Sequence, residues 1–270
     1  MIQHPFIEPQ HWSTLKQGVR ELAKQEILAR FRQVSFEEKQ DGSLLTEADT
    51  EMQIKTQAFL EDNWPEFAFL GEELSHDEQV AAMESETGCW ILDPVDGTSN
   101  FASGIPVYSV SLALMIEGEV VAGLVYDPDR DEMFAARKGF WAELNDEVLE
   151  AKSQKKTLKQ TSGIIDFKRL TPDLAMKIIH ANPYGSQRSF GSVALDWCWV
   201  AAGRGQLYLH GSQNLWDYAA GYLILEEAGG RSITLDGETV LVSEVVKRSA
   251  VAATTPELFA LWCDFLEIRR

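Results

Sequence analysis

Asp93-Pro94-Val95-Asp96-Gly97-Thr98-Ser99-Asn100 follows directly on the apolar run Cys89-Trp90-Ile91-Leu92. The apolar run predicts a buried strand, and the proline predicts its end, because proline cannot donate to a central ladder. Proline's fixed φ turns the chain out of the strand. Gly97 permits a tight turn and a close approach of ligand to backbone. Across that turn Asp93 and Asp96 can point at one centre. Thr98 to Asn100 reads as the first turn of a short helix, whose free N–H groups suit an anion. Carboxylates beside such a terminus are the parts needed to hold hard cations and a phosphate together.

Working outward, Thr46-Glu47-Ala48-Asp49 matches a capping box that opens a helix ending before Pro65. Phe67 to Leu70 is a short strand leading into Gly71-Glu72-Glu73, with a short helix beginning near Ser75. Trp12, Leu15, Val19, Leu22, Ala23 and Phe31 recur at helical spacings and predict an amphipathic helix from Pro9 to about Arg32. Polar, glycine-containing sequence follows from Ser35 to Ser43. Tyr108 to Trp141 reads as an antiparallel meander with turns at Glu117-Gly118 and at Asp127 to Arg130. Tyr108, Val110, Leu112, Leu114 and Ile116 share one face of its first strand.

Lys152 to Lys159 is a basic surface connection without interleaved aromatics. Beyond it come a strand (Gly163 to Phe167), an apolar helix (Ser192 to Ala202), a strand (Gln206 to Leu209) and a nearly all-apolar helix. That last helix runs from Trp216 to Ala228 and closes at Gly229-Gly230. The mixture predicts layered α and β with two sheets rather than one barrel.

The acids at these element ends also have ordinary structural readings. Glu72 and Glu73 can be solvated turn residues. Asp217, at the start of the last apolar helix, can be an N-cap, and Asp49 a capping-box residue. Composition narrows the alternatives. The 270 residues carry a net charge of −18, which disfavours non-specific nucleic-acid binding. The same charge repels an anionic ester, so local cations must reverse the field at any phosphate site. No stretch approaches the ~18–20 apolar residues of a membrane span. Met1 to Pro9 lacks the basic-then-apolar pattern of a signal peptide. Three scattered cysteines, Cys89, Cys198 and Cys263, predict a reducing compartment, and the expectation is a cytoplasmic protein.

Together the motifs resemble the inositol monophosphatase family, within the wider lithium-sensitive, Mg²⁺-dependent phosphatases. The family pattern is an aspartate, then G-E-E, then D-P-[IL]-D-G-T-x-N-F, then W-D-x-A-A-G and E-A-G-G. Here stand Asp49, Gly71-Glu72-Glu73, Asp93 to Phe101, Trp216 to Gly221 and Glu227-Ala228-Gly229-Gly230, in the same order. The resemblance implies an α/β (α+β layered) fold, a five-layer αβαβα sandwich. Its halves would be residues 1–160, with most metal ligands, and 161–270, with Asp217 and the specificity segments.

The resemblance also implies roles. Glu72, Asp93 and the Val95 carbonyl would hold one Mg²⁺; Asp93, Asp96 and Asp217 a second; a weaker third would sit near Glu72. The Gly97 and Thr98 N–H groups would cradle the phosphate. Asp49 and the Thr98 hydroxyl would orient and deprotonate the attacking water, with Glu72 in the same catalytic group and Glu73 behind it. The partner would be a small-molecule phosphate ester, with neither nucleic acid nor membrane, and a homodimer is common in such proteins.

Substrate choice should lie around Phe190-Gly191-Ser192-Val193 and Leu209 to Leu215. Inositol monophosphatases place a glutamate seven residues before the W-D aspartate; here that position is His210. Ser192, Val193 and His210 are therefore the expected substrate contacts. An imidazole can bond a hydroxyl but is not a bidentate acceptor, so an inositol phosphate stands beside a sugar bisphosphate, a 3′-phosphoadenosine-type nucleotide, histidinol phosphate and NADP as candidate substrates. A catalytically idle binding relative is the alternative of a different class.

Overall fold

The computed structural model describes residues 2–31, 36–38 and 44–269. In chain order its elements are α1 (Pro9–Glu26), β1 (Phe36–Glu38), β2 (Leu44–Thr46), α2 (Glu47–Asn63), β3 (Ala68–Gly71), α3 (His76–Met83), β4 (Cys89–Asp96), α4 (Thr98–Ala102) and β5 (Ser109–Ile116). Then come β6 (Glu119–Asp127), β7 (Glu132–Arg137), β8 (Ala142–Leu144), β9 (Glu147–Leu149), β10 (Ser162–Asp166), α5 (Pro172–Ala181), β11 (Ser186–Arg188) and α6 (Val193–Ala201). The chain closes with β12 (Leu207–Gln213), α7 (Leu215–Ala228), β13 (Arg231–Ile233), β14 (Arg248–Ala253) and α8 (Pro256–Leu266).

Strands β3 to β9 form one sheet in sequence order, with β3 parallel to β4 and every later pair antiparallel. A second, five-stranded sheet runs β11-β10-β12-β14-β13. Its β11, β10 and β12 are parallel, and β14 is antiparallel to both neighbours.

Side-chain alternation turns these sheets into layers. All eight residues of β5 are buried because both faces of the sheet are covered. Val110, Leu112, Leu114 and Ile116 join a core with Trp12, Leu15 and Val19 of α1 and Met52 and Leu60 of α2. Ala113 and Met115 point the other way, into a core filled by Trp197 and Cys198 of α6 and Tyr218, Leu223 and Ile224 of α7. That central core also contains Ile164, Tyr208 and Ala250 of the second sheet. Beyond it, Ile178 of α5 and Leu258 and Trp262 of α8 pack on Ile165, Leu207, Leu209 and Val251. The order is helix, sheet, helix, sheet, helix, as the five-layer expectation had it.

Several expectations change at their edges. β4 does not stop at Pro94 but runs to Asp96. Its register against β5 shifts between Asp93 and Asp96, and this bulge accommodates the proline. Helix α1 ends at Glu26, and a separate 3₁₀ turn covers Leu28–Arg30. The polar stretch Ser35 to Ser43 lies mostly outside the described residues, and β1 and β2 at its ends pair antiparallel. β12 continues to Gln213 instead of ending at Leu209. Asp217 is the third residue of α7 rather than its cap, which is Asn214. The three cysteines are free and buried. Among the described residues no helix is long and apolar enough to cross a membrane.

Candidate active site

Helix α2 opens with the expected capping box, and the box does more than cap. Asp49 Oδ2 accepts from the Thr46 N–H at 2.8 Å and from Thr46 Oγ1 at 2.5 Å. This leaves Oδ1, which accepts from Thr98 Oγ1 at 3.1 Å. The Thr98 hydroxyl also lies 2.9 Å from the Val95 carbonyl oxygen. Having one hydrogen, it can donate to only one of the two at a time. Asp49 is fully buried, and burial raises its carboxyl above the usual range despite the bonds from Thr46.

The corner after β3 is held by two glutamines that the motifs did not indicate. Gln79 Nε2 donates to the carbonyls of Gly71 at 3.0 Å and Glu72 at 3.2 Å, and Gln53 Oε1 accepts the Glu73 N–H at 3.1 Å. Gln53 lies one helical turn beyond Asp49, so the helix spacing could have revealed it. The Glu72 N–H donates to the Leu92 carbonyl at 3.1 Å, which extends the β3–β4 pairing beside Asp93.

Asp93 is the hub. It is 3% exposed, and its Oδ1 accepts the Val95 N–H at 3.1 Å across the bulge. Burial, then the charges of Glu72, Asp96, Asp217 and Asp49, push its carboxyl well above the ordinary value. Asp96 is raised by burial against the hydrogen bonds that it accepts from Ser192, Ala194 and Val193. Asp217 is raised by the protein packed around it, then by Asp96 and Glu72, while the Asn214 N–H donates to its Oδ2 at 2.8 Å. Four acids thus act on one buried carboxylate.

Gly97, which caps the short helix α4, has φ 95°. A Cβ there would come within 2.9 Å of the Val107 carbonyl oxygen and 3.2 Å of that of Gly191, so the turn admits glycine alone. Asn100 ties the same loop to the other half of the molecule, its Nδ2 donating to the carbonyls of Val107 at 2.9 Å and Phe190 at 2.7 Å. Farther along, Gly221 lets α7 lie against α6, since a Cβ would stand 2.5 Å from Trp197 Cβ. Glu227 accepts the Gly139 N–H at 2.8 Å and so ties the end of α7 to the turn after β7.

The donor set of buried Asp93 and Asp96, partly buried Glu72 and Asp217, and the Val95 carbonyl has the hard-oxygen chemistry that suits Mg²⁺. Mutual repulsion on Asp93 is the kind that a divalent cation relieves. Among the described residues, no three or more histidine, cysteine, aspartate or glutamate side chains are gathered closely enough to hold a metal ion as they stand. Oxygens of Asp96 and Asp217 are instead engaged by protein donors.

The expected substrate contacts all make hydrogen bonds within the protein. Ser192 Oγ and the Ala194 N–H donate to Asp96 Oδ2 at 2.5 and 2.8 Å, and the Val193 N–H donates to Oδ1 at 3.1 Å. These groups seat Asp96 at the N-terminus of α6, where the helix terminus favours a negative charge. They are thus spent on the protein. His210 is also committed. Its Nδ1 accepts the Ser212 N–H at 3.2 Å, and its Nε2 lies 3.0 Å from Asp166 Oδ2. Asp166, which no motif flagged, is the more exposed member of that pair.

Fold and site together define a class: a five-layer α/β protein in which several acids act on one buried carboxylate, Asp93. Residues 9–266 match the inositol monophosphatase family, and the chain belongs to it. It is 35% identical to inositol monophosphatase 1 of Solanum lycopersicum, with 83% of each chain covered. It is 39% identical to the Nus factor SuhB of Pasteurella multocida over 59% of this chain, a match that spans 62% of that protein's length. Among solved structures, an IMPase/NADP phosphatase complexed with Mg²⁺ and phosphate superimposes with a TM-score of 0.78 at 26% identity, covering 96% of this chain and 95% of that one.

Proposed function

We propose that the protein is a Mg²⁺-dependent phosphatase that hydrolyses a phosphate monoester of a small metabolite, inositol 1-phosphate or a close relative. The observation that carries this reading is the negative charge that Glu72, Asp96, Asp217 and Asp49 exert on buried Asp93, beside the Asp49–Thr98 hydrogen bond. The reading also draws on the relative named inositol monophosphatase and on the Mg²⁺ and phosphate bound by the structural neighbour.

Glu72, Asp93, Val95 through its carbonyl, Asp96 and Asp217 would hold two to three Mg²⁺ ions. Bound there, Mg²⁺ supplies positive potential for the phosphate and acidifies water. The residues do the rest. Asp49 orients the Thr98 hydroxyl and takes up the proton as water attacks phosphorus in line, while the ester P–O bond breaks and the departing alkoxide takes a proton from solvent to leave as the alcohol. The Gly97 and Thr98 N–H groups face the phosphoryl oxygens, and the buried walls exclude bulk water. Phosphoryl transfer asks mainly for positioning and charge stabilisation, so no cysteine or histidine nucleophile is needed.

The test is phosphate release from inositol 1-phosphate, fructose 1,6-bisphosphate, histidinol phosphate, 3′-phosphoadenosine 5′-phosphate and NADP, in Mg²⁺ and in EDTA. Release from at least one ester that needs Mg²⁺ and falls in excess Li⁺ is expected. Release that is indifferent to EDTA, or none from any ester, would sink the reading.

A further inference from the structure

Strands β10 and β12 pair in parallel, and open α/β sheets put their ligands beyond the carboxyl ends of such strands. Asp166 is the last residue of β10 and stands in direct register with His210 of β12. His210 lies within electrostatic range of Asp96. Farther along, β12 leads into Asn214, which caps the helix of Asp217. The Asp166–His210 pair therefore borders the acidic centre.

Within the pair, the two side chains are not equivalent. His210 is 4% exposed. Its Nδ1 is used as an acceptor, so its one ring proton sits on Nε2 and points at Asp166. No polar atom of the ring is left for a ligand. The Asp166 side chain is 27% exposed. Its Oδ2 takes the His210 proton and its Oδ1 takes the Lys168 N–H at 2.9 Å. A carboxylate has about four acceptor positions, so these two bonds aim it without saturating it. Burial works against its charge, yet the bonds from His210 and Lys168 and the nearby Arg169 hold its carboxyl below the ordinary value. The segment after β10 is pressed onto β12: a Cβ on Gly211 would lie 1.8 Å from the Arg169 carbonyl oxygen. That contact fixes where Asp166 sits.

We propose that Asp166 reads the leaving alcohol, accepting a hydrogen bond from a free hydroxyl beside the phosphate, and that His210 is a positioning residue that aims it. This rests on the phosphatase reading above. The inference transfers the expected contact from His210 to a carboxylate on the neighbouring strand. A site built to bond a hydroxyl discriminates against an ester that lacks one.

The test compares kcat/KM for inositol 1-phosphate, which has such hydroxyls, with that for p-nitrophenyl phosphate, which has none. Wild type is expected to favour the inositol ester. Asp166→Ala should lower kcat/KM for that ester about tenfold or more, chiefly through KM, and leave p-nitrophenyl phosphate within about twofold. His210→Ala should give the same selective loss. His210→Gln, whose amide can donate to the same carboxylate oxygen, should recover most of it, a rescue that a purely structural role would not produce. In the Asp166→Ala background, His210→Ala should add no further selectivity loss. Equal losses on both esters, a selective His210→Ala effect that persists without Asp166, or a wild type that does not favour the inositol ester would overturn the assignment and leave the phosphatase reading standing. A wild type inactive on both esters in Mg²⁺ would remove the phosphatase reading and the assignment with it.

Discussion

On the side of the seven-stranded sheet, the acids come from one short stretch and the strand hydrogen-bonded to it. Asp93 and Asp96 flank a bulge in β4, Glu72 follows the parallel partner β3, and Asp49 reaches in from a capping box. On the side of the five-stranded sheet, the polar groups come from the ends of β10 and β12 and from the start of α6, and they meet only through register and packing. The first arrangement is fixed by local backbone geometry, a proline in a bulge and a glycine at positive φ. The second can be re-cut by exchanging side chains between neighbouring strands. Chemistry is therefore expected to reside on the first side and choice of substrate on the second.

The widest break between the two sides should come from Asp93→Asn. With the hub carboxylate gone, activity should fall more than ~100-fold on every ester, whatever its alcohol. The same change removes a buried charge repelled by four neighbours, so in EDTA the variant should unfold at a higher temperature than wild type, a trade of stability for function. Calorimetry alongside the assay checks both halves; a destabilised Asp93→Asn would contradict the repulsion argument.

Ser192→Ala probes the seam. It deletes the hydroxyl bond that aims Asp96, and a loss of about tenfold in activity or Mg²⁺ affinity is expected, again independent of the alcohol. An alcohol-dependent loss would instead return Ser192 to the substrate wall.

Gly97→Ala asks whether the turn's geometry is as strict as its φ implies. It should cost about 1–2 kcal/mol of stability in urea unfolding. Glu227→Ala lies outside the site and should cost only about 1 kcal/mol through the lost Gly139 bond, with kcat/KM unchanged.

The same contrast explains what could be read from the chain alone. Capping boxes, apolar runs and turn glycines are local, so α2, β4, α7 and the acids on them were legible. The mixture of helices and strands predicts layered α and β with two sheets, and the count of five layers comes from the family resemblance. Pro94 misled at the strand end, since a bulge depends on the partner strand and not on the proline's own neighbours. The cap reading open to Asp217 belongs to Asn214, because the start of a helix is hard to fix to a residue from sequence alone. Asp166 carried no signal: nothing in the sequence says that β10 and β12 pair in parallel with Asp166 opposite His210. Nor does the sequence say that Ser212 and a residue of the neighbouring strand occupy both nitrogens of His210. Gln53, in contrast, was within reach, because it shares the buried face of α2 with Asp49.

The central claim is that buried Asp93 gathers a divalent-cation centre for phosphoryl transfer. It is tested most directly by titrating Mg²⁺ into wild type and Asp93→Asn side by side while measuring phosphate released from inositol 1-phosphate. Saturable activation of wild type, with no activation of the variant at any Mg²⁺ concentration, is the expected result. Equal rates for the two proteins, or a wild-type rate that does not respond to Mg²⁺, would contradict it.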